Sequence, residues 1–234
     1  MRYSYSKIAT FKDCPLRFKY AYIDNIKPKI PNSMLRGNFM HSILENIGKD
    51  ITYERFEYVL KNISWPLELP ESEVKSAISS VDKWFNLERF RDVVAVEKAF
   101  SIRLEGFELT GRIDRIDRLY DKTFSIIDYK TGATIPTQRE VDKNLQLCFY
   151  ALAASKIPTE PFGKPVEKIK LSLYYLDEQE KISTTRTAKQ LDDAIKEIFR
   201  VKEGIEKSDF KCSGHMFCQM GCEFSLFCKS NGPD

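Results

Sequence analysis

The segment from Gly111 to Gly132, GRIDRIDRLYDKTFSIIDYKTG, constrains the fold of this chain most, because it reads as two strands joined by a short turn. Apolar Ile113 in the first arm, and Ile126 and Ile127 in the second, give both arms strand character. The polar run at 119–122 is short enough to turn between them. The segment therefore predicts a β-hairpin.

Charged side chains alternate along this hairpin. Side chains two residues apart in a strand share a face, so Asp128 and Lys130 point the same way, and Asp114 joins them if the first arm faces that side. Two carboxylates and a lysine on one face suit a catalytic or metal site. Alternating Asp and Lys are also typical of solvated cross-strand ion pairs, so the hairpin alone leaves both interpretations open.

The remaining elements follow from hydrophobic periodicity. Helices are predicted at 35–49, 53–62, 72–91, 139–155 and 188–207, and further strands at 93–104, 169–176 and 181–186. The segment 4–22 is also helical in character, and Cys14 followed by Pro15 within it suits the first turn of a helix or a tight bend. With the two hairpin arms, this pattern predicts an α/β fold whose mixed four- to five-stranded sheet carries helices on both faces. We expect a single domain over residues 1–234, with a helical insertion at about 50–91.

The overall charge neither requires nor excludes a nucleic-acid partner, because a net charge of +3 over 234 residues is only mildly basic. The N-terminus lacks the apolar core of a signal peptide, and no uninterrupted apolar run is long enough to cross a bilayer. We therefore expect an intracellular, cytoplasmic protein without membrane association.

Basic and aromatic residues interleave near the N-terminus. The basic residues are Lys12, Arg17 and Lys19, and the aromatic residues are Phe11, Phe18, Tyr20 and Tyr22. Such a pattern fits single-stranded nucleic acid, whose bases stack on rings and whose phosphates meet cations. It is equally consistent with a helix that buries its rings and exposes its basic face.

Four further polar residues lie on predicted elements around the hairpin. His41 lies off the apolar stripe of its helix, and Glu97 lies within the strand at 93–104. Gln146 and Tyr150 are four residues apart and share one helix face. A lone histidine is more often a satisfied polar residue than a ligand, and Gln146 with Tyr150 also fits an ordinary surface pair.

Four of the six cysteines crowd into a segment at about 211–230, namely Cys212, Cys218, Cys222 and Cys228. Structural disulfides are rare in the compartment expected for this chain, and the segment has few periodic apolar positions to hold it. The crowding therefore predicts a metal or cluster site. Cys148 instead lies on a buried helix stripe and is interpreted as a small core residue.

Four motifs in series resemble the PD-(D/E)XK nuclease superfamily, and within it the RecB-like group, which includes the RecB and AddB nuclease domains and CRISPR-associated RecB-like exonucleases. The motifs are RGNFMHSILE, GRIDRID, IIDYKTG and QLCFY, in the family's order across residues 36–150. Each motif alone is weak, whereas the ordered series is specific. The resemblance implies a restriction-endonuclease-like core and metal-dependent hydrolysis of DNA.

The resemblance also implies roles for individual residues. Asp114 and Asp128 would hold Mg²⁺ or Mn²⁺, since carboxylates suit these hard cations. His41 and the backbone carbonyl of Tyr129 would complete the ligand set. Lys130 would position or help to deprotonate the attacking water and offset charge in the transition state.

Three further roles follow from the same resemblance. Glu97 would help to hold metal or orient water. Gln146 and Tyr150 match the family's Gln-x-x-x-Tyr signature and would contact DNA or support Lys130.

Many RecB-like proteins carry a [4Fe–4S] cluster that joins the two ends of the chain. By resemblance, its ligands here would be Cys14, Cys218, Cys222 and Cys228. The gap between Cys218 and Cys222 is one residue longer than the family's usual spacing, which makes Cys212 a competing ligand. The alternative is structural Zn²⁺, bound by a choice from the late cysteines and His215, although zinc leaves Cys14 without a role.

The resemblance thus implies a deoxyribonuclease that acts as an exonuclease on single-stranded DNA ends, with endonuclease activity also open. Its context would be DNA repair and recombination or CRISPR adaptation, with a helicase or a CRISPR integrase complex as partner. The alternative from another functional class is a DNA-binding or interaction subunit that has little activity alone.

Overall fold

The computed structural model describes residues 2–119, 123–132, 134–214, 222–225 and 227–228. Within this part of the chain, the strands are β1 (Arg2–Tyr3), β2 (Asp92–Leu104), β3 (Phe107–Arg118), β4 (Phe124–Lys130), β5 (Ile169–Tyr175) and β6 (Glu180–Thr184). The helices are α1 (Tyr5–Asp13), α2 (Pro15–Tyr22), α3 (Asn32–Ile47), α4 (Tyr53–Asn62), α5 (Glu71–Glu88), α6 (Gln138–Asp142), α7 (Leu145–Lys156) and α8 (Ala188–Lys207), with a 3₁₀ turn at Val166–Lys168.

All the strands belong to one mixed sheet, as predicted. β2, β3 and β4 form an antiparallel meander, β5 runs parallel to β4, and β6 returns antiparallel to β5. The predicted count of four or five strands is wrong, because β1 adds a sixth strand in parallel with β3 beside Glu108 and Leu109. Tyr3 anchors this short strand, since its side chain is fully buried and packs edge to face with Phe107, with ring centroids 5.7 Å apart.

Helices cover both faces of the sheet. α1, α2, α7 and α8 share a core with one face, which includes Ile126 of β4, and α3, α4 and α5 share a core with the other, which includes Ile127. α4 and α5 lie within the predicted insertion at about 50–91 and pack against α3. No helix in the described residues combines the length and apolar character needed to cross a bilayer.

The N-terminal segment forms two helices, and the break lies at Cys14 and Pro15, where the sequence suits the first turn of a helix or a tight bend. Ser4 caps α1, because its hydroxyl accepts the backbone N–H of Lys7 at 3.3 Å. Cys14 is extended between the helices, and Pro15 begins α2, where its missing N–H is not needed. The proline therefore sets the break.

The rings and cations of this N-terminal segment are engaged within the protein. Phe11 and Phe18 both pack against the ring of Phe210. The ion pairs are Lys12 with Glu197, Arg17 with Asp13 and Glu223, and Lys19 with Asp24. For Phe11 and Phe18, the interpretation of rings buried beneath a solvated basic face is therefore the one borne out.

The single helix predicted at 139–155 is wrong, because the chain breaks between α6 and α7. The side chain of Asn144 accepts the backbone N–H of Leu147 at 3.0 Å and so caps a new helix. The apolar periodicity continues through the break, since Val141 and Leu147 are both buried. Periodicity alone therefore conceals the cap.

Candidate active site

Asp128 and Lys130 lie on the face of β4 that α7 covers. The antiparallel register pairs Arg115 with Ile127, so the preceding residue of β3, Asp114, lies opposite Asp128. Asp128 is only 3% exposed, whereas Lys130 at the end of β4 is half-buried. Asp114, Asp128 and Lys130 line one cleft on this side of the hairpin, and their assignment to one catalytic group stays a prediction.

The Asp128 carboxylate is held by three side chains. Its Oδ1 accepts hydrogen bonds from the Tyr150 hydroxyl at 2.6 Å and from Gln146 Nε2 at 2.7 Å. Its Oδ2 faces the Lys130 ammonium, which lies 2.6 Å away as an ion pair. Lys130 also donates to Gln146 Oε1 at 2.9 Å. Gln146 therefore bridges the carboxylate and the lysine.

The charges of this network follow from its burial. Burial lowers the pKa of Lys130, but the adjacent Asp128 carboxylate outweighs burial, so the pKa is raised and the ammonium keeps its charge. Burial, followed by repulsion from Asp128, raises the pKa of Tyr150 well above its ordinary value. The phenol therefore remains a hydrogen-bond donor.

An arginine that the sequence analysis did not single out fixes the start of α7. Arg186 is 3% exposed. Two of its nitrogens donate to backbone carbonyls, Nη2 to Val141 at 3.0 Å and to Asn144 at 3.1 Å, and Nη1 to Thr185 at 2.8 Å. Arg186 thereby satisfies the carbonyls at the break before α7, whose first turn carries Gln146. No sequence signal links residue 186 to that turn, because the contact is long-range.

Asp114 contacts both β4 and α3. Its Oδ2 accepts the backbone N–H of Tyr129 at 2.8 Å, and His41 Nδ1 lies 3.7 Å from the same oxygen. Burial and then repulsion from Asp128 raise the pKa of Asp114 well above its ordinary value. Burial lowers the pKa of His41, so the imidazole is neutral at neutral pH, which is the form that binds metal.

A glycine allows His41 to approach the sheet. A Cβ at Gly37 would lie 2.7 Å from the Thr131 hydroxyl oxygen, closer than real Cβ contacts. α3 can therefore lie against the end of β4 only because residue 37 has no side chain. His41 follows Gly37 by about one helical turn, so the close approach carries it to Asp114.

Glu97 lies on β2 in a strained conformation. Its φ of 46° is in the left-handed region, which costs a non-glycine residue about 1–3 kcal/mol. The register pairs Val96 with Arg115 and Lys98 with Ile113, so Glu97 lies level with Asp114. Burial, followed by the charge of Glu45, raises the pKa of Glu97.

His41, Glu97 and Asp114 form a group that could hold a metal ion. Each offers one ligand atom, and these atoms lie within 4.8 Å of one another. The two carboxylates have raised pKa values, so a bound divalent cation would stabilise their charged form. Together with a neutral imidazole, they are suitable ligands for such a cation. Asp128 does not belong to this compact group, since its oxygens face the α7 network.

The cleft encloses about 550 Å³. Besides the residues above, its lining includes Ser4, Ser6, Ala99, Thr110, Gly111 and Arg112. The sequence analysis missed these six as site residues, because they are small or ordinary residues that only the fold brings together. A Cβ at Gly111 would lie 2.5 Å from the Phe100 ring, so Gly111 leaves room for the edge of that ring against β3.

A buried ion network lies behind the same strands. Arg115 is 1% exposed and pairs with Asp117 at 2.6 Å and with Glu88 at 3.2 Å. Its Nη1 also donates to the Tyr129 hydroxyl at 3.3 Å. The Tyr129 side chain is thus anchored on one face of β4, while its backbone N–H holds Asp114. Sequence analysis used GRIDRID for Asp114 and missed this second role of the motif.

The described cysteines of the predicted cluster lie near the packed chain ends. Cys14 is buried between α1 and α2. Arg17 pairs with Glu223 at 2.8 Å, and the Tyr20 hydroxyl donates to the Phe227 carbonyl at 2.9 Å. The segments that carry Cys222 and Cys228 therefore contact α2. Cys218 and the alternative ligand His215 lie outside the described residues.

Comparison with known proteins identifies the family. The sequence profile of the PD-(D/E)XK nuclease superfamily matches residues 2–229. The chain belongs to the PD-(D/E)XK nuclease superfamily. The resemblance inferred from the four motifs is thereby confirmed, and members of this superfamily use Mg²⁺ or Mn²⁺.

Curated relatives of this PD-(D/E)XK chain are much longer proteins. A subunit of the ATP-dependent helicase/deoxyribonuclease of Streptococcus pyogenes serotype M49 is 30% identical over 120 residues, which cover 44% of this chain and 11% of that protein. An uncharacterized protein of Rickettsia typhi is 26% identical over 147 residues, or 52% of this chain and 17% of that one. The chain thus matches a small part of each relative.

A solved structure supports the nuclease fold. The crystal structure of a candidate exonuclease from Eubacterium rectale aligns with a TM-score of 0.61 at 14% identity, and the alignment covers 99% of this chain and 89% of that one. At this identity the likeness concerns the fold alone. The α/β architecture of this PD-(D/E)XK nuclease therefore extends over the whole aligned chain.

Proposed function

We propose that this chain is a metal-dependent deoxyribonuclease that hydrolyses phosphodiester bonds, with exonuclease action on single-stranded DNA ends and endonuclease action as a secondary activity. The observation that carries the proposal is the arrangement of Asp114, Asp128 and Lys130 in one cleft beside the His41 and Glu97 group. Family membership supports a nuclease, and the relative named as a deoxyribonuclease favours DNA as the substrate.

His41, Glu97 and Asp114 would hold Mg²⁺ or Mn²⁺, and the assignment of Asp128 and the Tyr129 carbonyl as further ligands stays a prediction. Such an ion, when bound, neutralises charge on the phosphate and makes water more nucleophilic. The donor set fits this role, because carboxylate and imidazole ligands suit these cations. Tyr129 holds Asp114 in place through its backbone N–H at 2.8 Å.

Lys130 acts as a cation next to the scissile phosphate. Because its pKa is raised, the Lys130 ammonium stays charged and does not act as a neutral base. In the charged form it can orient water and stabilise the negative charge that develops in the transition state. Gln146 and Tyr150 hold Asp128 and Lys130 in a fixed arrangement. They therefore support the site from α7, whereas direct contact with DNA was the other predicted role.

The test is cleavage of end-labelled oligonucleotides by the purified chain. Single-stranded DNA, double-stranded DNA and RNA of the same sequence are incubated with Mg²⁺, Mn²⁺ or a chelator. We expect DNA to be shortened progressively from its ends, fastest for single strands, and only with metal. The proposal would be overturned if the protein cleaved RNA but not DNA, or if it cleaved DNA as fast in chelator as with metal.

A second candidate is a subunit that acts within a larger assembly and cleaves poorly alone. The relative that is named as part of a helicase/deoxyribonuclease favours this candidate with a helicase as partner, and a CRISPR integrase complex is the other predicted partner. If the isolated chain cleaves DNA about as fast as the chain with its partner, the result favours the independent nuclease over the dependent subunit.

We also propose that Cys14, Cys218, Cys222 and Cys228 bind a [4Fe–4S] cluster that joins the chain ends, with Cys212 as the competing ligand. Support comes from the buried Cys14 and from the contacts of Arg17 and Tyr20 with the C-terminal segment. Anaerobically purified protein should be brown and contain iron. Colourless protein that contains zinc and no iron would favour the structural zinc site instead.

A further inference from the structure

The cleft has one strongly exposed cation among its described lining residues. Lys130 is engaged by Asp128 and Gln146, and His41 Nδ1 lies 3.7 Å from Asp114 Oδ2. Arg112, on β3, has a side chain that is 59% exposed. A nucleic-acid backbone that enters the cleft would therefore meet Arg112 before it meets the buried groups.

The contact that holds Arg112 is weak. Its Nη1 lies 3.4 Å from Glu97 Oε2, which is long for a hydrogen bond, and the Arg112 side chain is mostly exposed while that of Glu97 is 17% exposed. A long contact to a largely solvated guanidinium contributes little to stability. Glu97 also belongs to the group with His41 and Asp114 that could hold a metal ion. Because one carboxylate is shared between the guanidinium and that group, a cation bound there would weaken the attraction between Glu97 and Arg112.

The surroundings of Arg112 suit a phosphate. Ser4, Ser6 and Thr110 offer hydroxyl groups at the same cleft, and Ala99 and Gly111 add no bulk. Arginine and hydroxyl side chains are among the groups that contact phosphates in protein–DNA interfaces. A guanidinium can also bind a phosphate through two parallel hydrogen bonds.

We propose that Arg112 binds a DNA phosphate adjacent to the one that is cleaved, and that Glu97 holds Arg112 until a divalent cation occupies the neighbouring group. This inference rests on the proposed DNA substrate and goes beyond it by assigning a binding residue and an order of events. A divalent cation held by Glu97 would weaken the contact of Glu97 with Arg112, and the guanidinium would then be available to pair with phosphate. DNA binding should therefore depend on metal through Arg112.

The experiment measures binding of a labelled single-stranded oligonucleotide by fluorescence anisotropy. Asp128→Asn protein serves as the background, so that the DNA stays intact during titration with and without Mg²⁺. With Mg²⁺, adding Arg112→Ala should weaken binding about tenfold and lower the salt dependence by about one phosphate contact. Without Mg²⁺ the same change should have a much smaller effect.

Two further variants separate charge from fold. Arg103→Ala removes another exposed arginine, from β2 and away from the cleft lining, and should leave binding unchanged. Arg112→Lys keeps the charge without the paired hydrogen bonds, so it should retain the salt dependence while it recovers part of the affinity.

The role of Glu97 is tested by a double-mutant cycle. Glu97→Gln should strengthen metal-free binding several-fold, and the gain should disappear when Arg112→Ala is added. If Glu97→Gln still strengthens binding when Arg112 is absent, Glu97 repels DNA by its charge alone. That result would overturn the proposal that Glu97 holds Arg112 in the absence of metal.

The outcomes of binding and cleavage remain distinguishable. Equal losses for Arg112→Ala and Arg103→Ala, or unchanged binding by Arg112→Ala in Mg²⁺, would overturn this inference while leaving the nuclease proposal intact if the wild-type protein cleaves DNA. Wild-type protein that neither binds nor cleaves DNA would overturn both.

Discussion

The Tyr150 hydroxyl donates a hydrogen bond of 2.6 Å to Asp128 Oδ1 and so ties α7 to the central strand β4. Tyr150 packs edge to face with Phe100, with ring centroids 6.2 Å apart, so the donor has little freedom to turn away. The orientation of the Asp128 carboxylate is therefore set by α7, which carries Tyr150, and by β2, whose Phe100 packs against the Tyr150 ring.

Tyr150→Phe removes this donor while it keeps the ring. We expect the cleavage rate to fall about tenfold, because a hydrogen bond to a charged group contributes about 1.5–3 kcal/mol and part of that interaction is replaced by Gln146. The melting temperature should fall by only a few degrees, because the ring stays packed. Tyr58→Phe, at an exposed position on α4, is the matched control, and equal rates for both variants would contradict the role of Tyr150.

Lys130→Met keeps the length of the side chain and removes its charge. We expect a loss of about a hundredfold or more in the cleavage rate, since the ammonium stabilises charge that develops in the transition state. DNA affinity should change less than the rate. Single-turnover kinetics with saturating enzyme separates the two, and a variant that loses affinity alone would assign Lys130 to binding.

Arg186→Ala leaves the carbonyls of Val141 and Asn144 without their buried donor. Each unsatisfied buried polar group costs about 1–3 kcal/mol, so the free energy of unfolding should fall by several kcal/mol, as measured by urea denaturation. Arg200→Ala, at an exposed position on α8, should be near neutral. A loss below about 1 kcal/mol for Arg186→Ala would show that the break before α7 does not depend on this residue.

Gly37→Ala places a methyl group 2.7 Å from the Thr131 hydroxyl oxygen. We expect α3 to shift and both stability and metal affinity to fall, because His41 moves with the helix. Thr131→Ala removes the clashing oxygen and should restore both in the double variant. Failure of that rescue would mean that the close approach of α3 to β4 is not what requires glycine.

The Arg36–Asp177 pair gives a pH-dependent stability. Hydrogen bonds from Arg36, at 2.6 and 2.8 Å, lower the pKa of Asp177. A lowered folded-state pKa contributes stability above the unfolded carboxyl value, and that contribution is lost as pH falls through the folded value. Asp177→Asn should therefore cost about 1–2 kcal/mol at neutral pH and progressively less in acid. A deficit that is constant with pH in urea denaturation would contradict the ion pair.

Local pattern explains why the hairpin was predictable. The alternation of Asp128 and Lys130 with apolar neighbours is a property of one strand, and Asp114 follows from the pleat of the neighbouring strand. The site roles of His41, Glu97, Gln146 and Tyr150 were predicted from the order of the family's motifs. The strained backbone of Glu97 has no local signal, since it depends on the register of β2 against β3.

Long-range contacts explain what was missed. Arg186 reaches α7 across more than thirty residues of sequence, and Arg115 anchors Tyr129 from the adjacent strand. Arg112 lines the same cleft as Ser4 and Ser6, although the three are far apart in the sequence. In each case an ordinary arginine acquires its role from neighbours that only the folded chain supplies. The α6–α7 break was missed for a different reason, because apolar spacing continues across the Asn144 cap.

The most direct test of the account compares Asp128→Asn with Asp192→Asn in a cleavage assay on labelled single-stranded DNA with Mg²⁺ or Mn²⁺. Asp128 lies at the centre of the network, whereas Asp192 is exposed on α8. We expect Asp128→Asn to fold but to lose cleavage with either metal, while Asp192→Asn cleaves at the wild-type rate. Cleavage at the wild-type rate by folded Asp128→Asn protein would contradict the assignment of the active site.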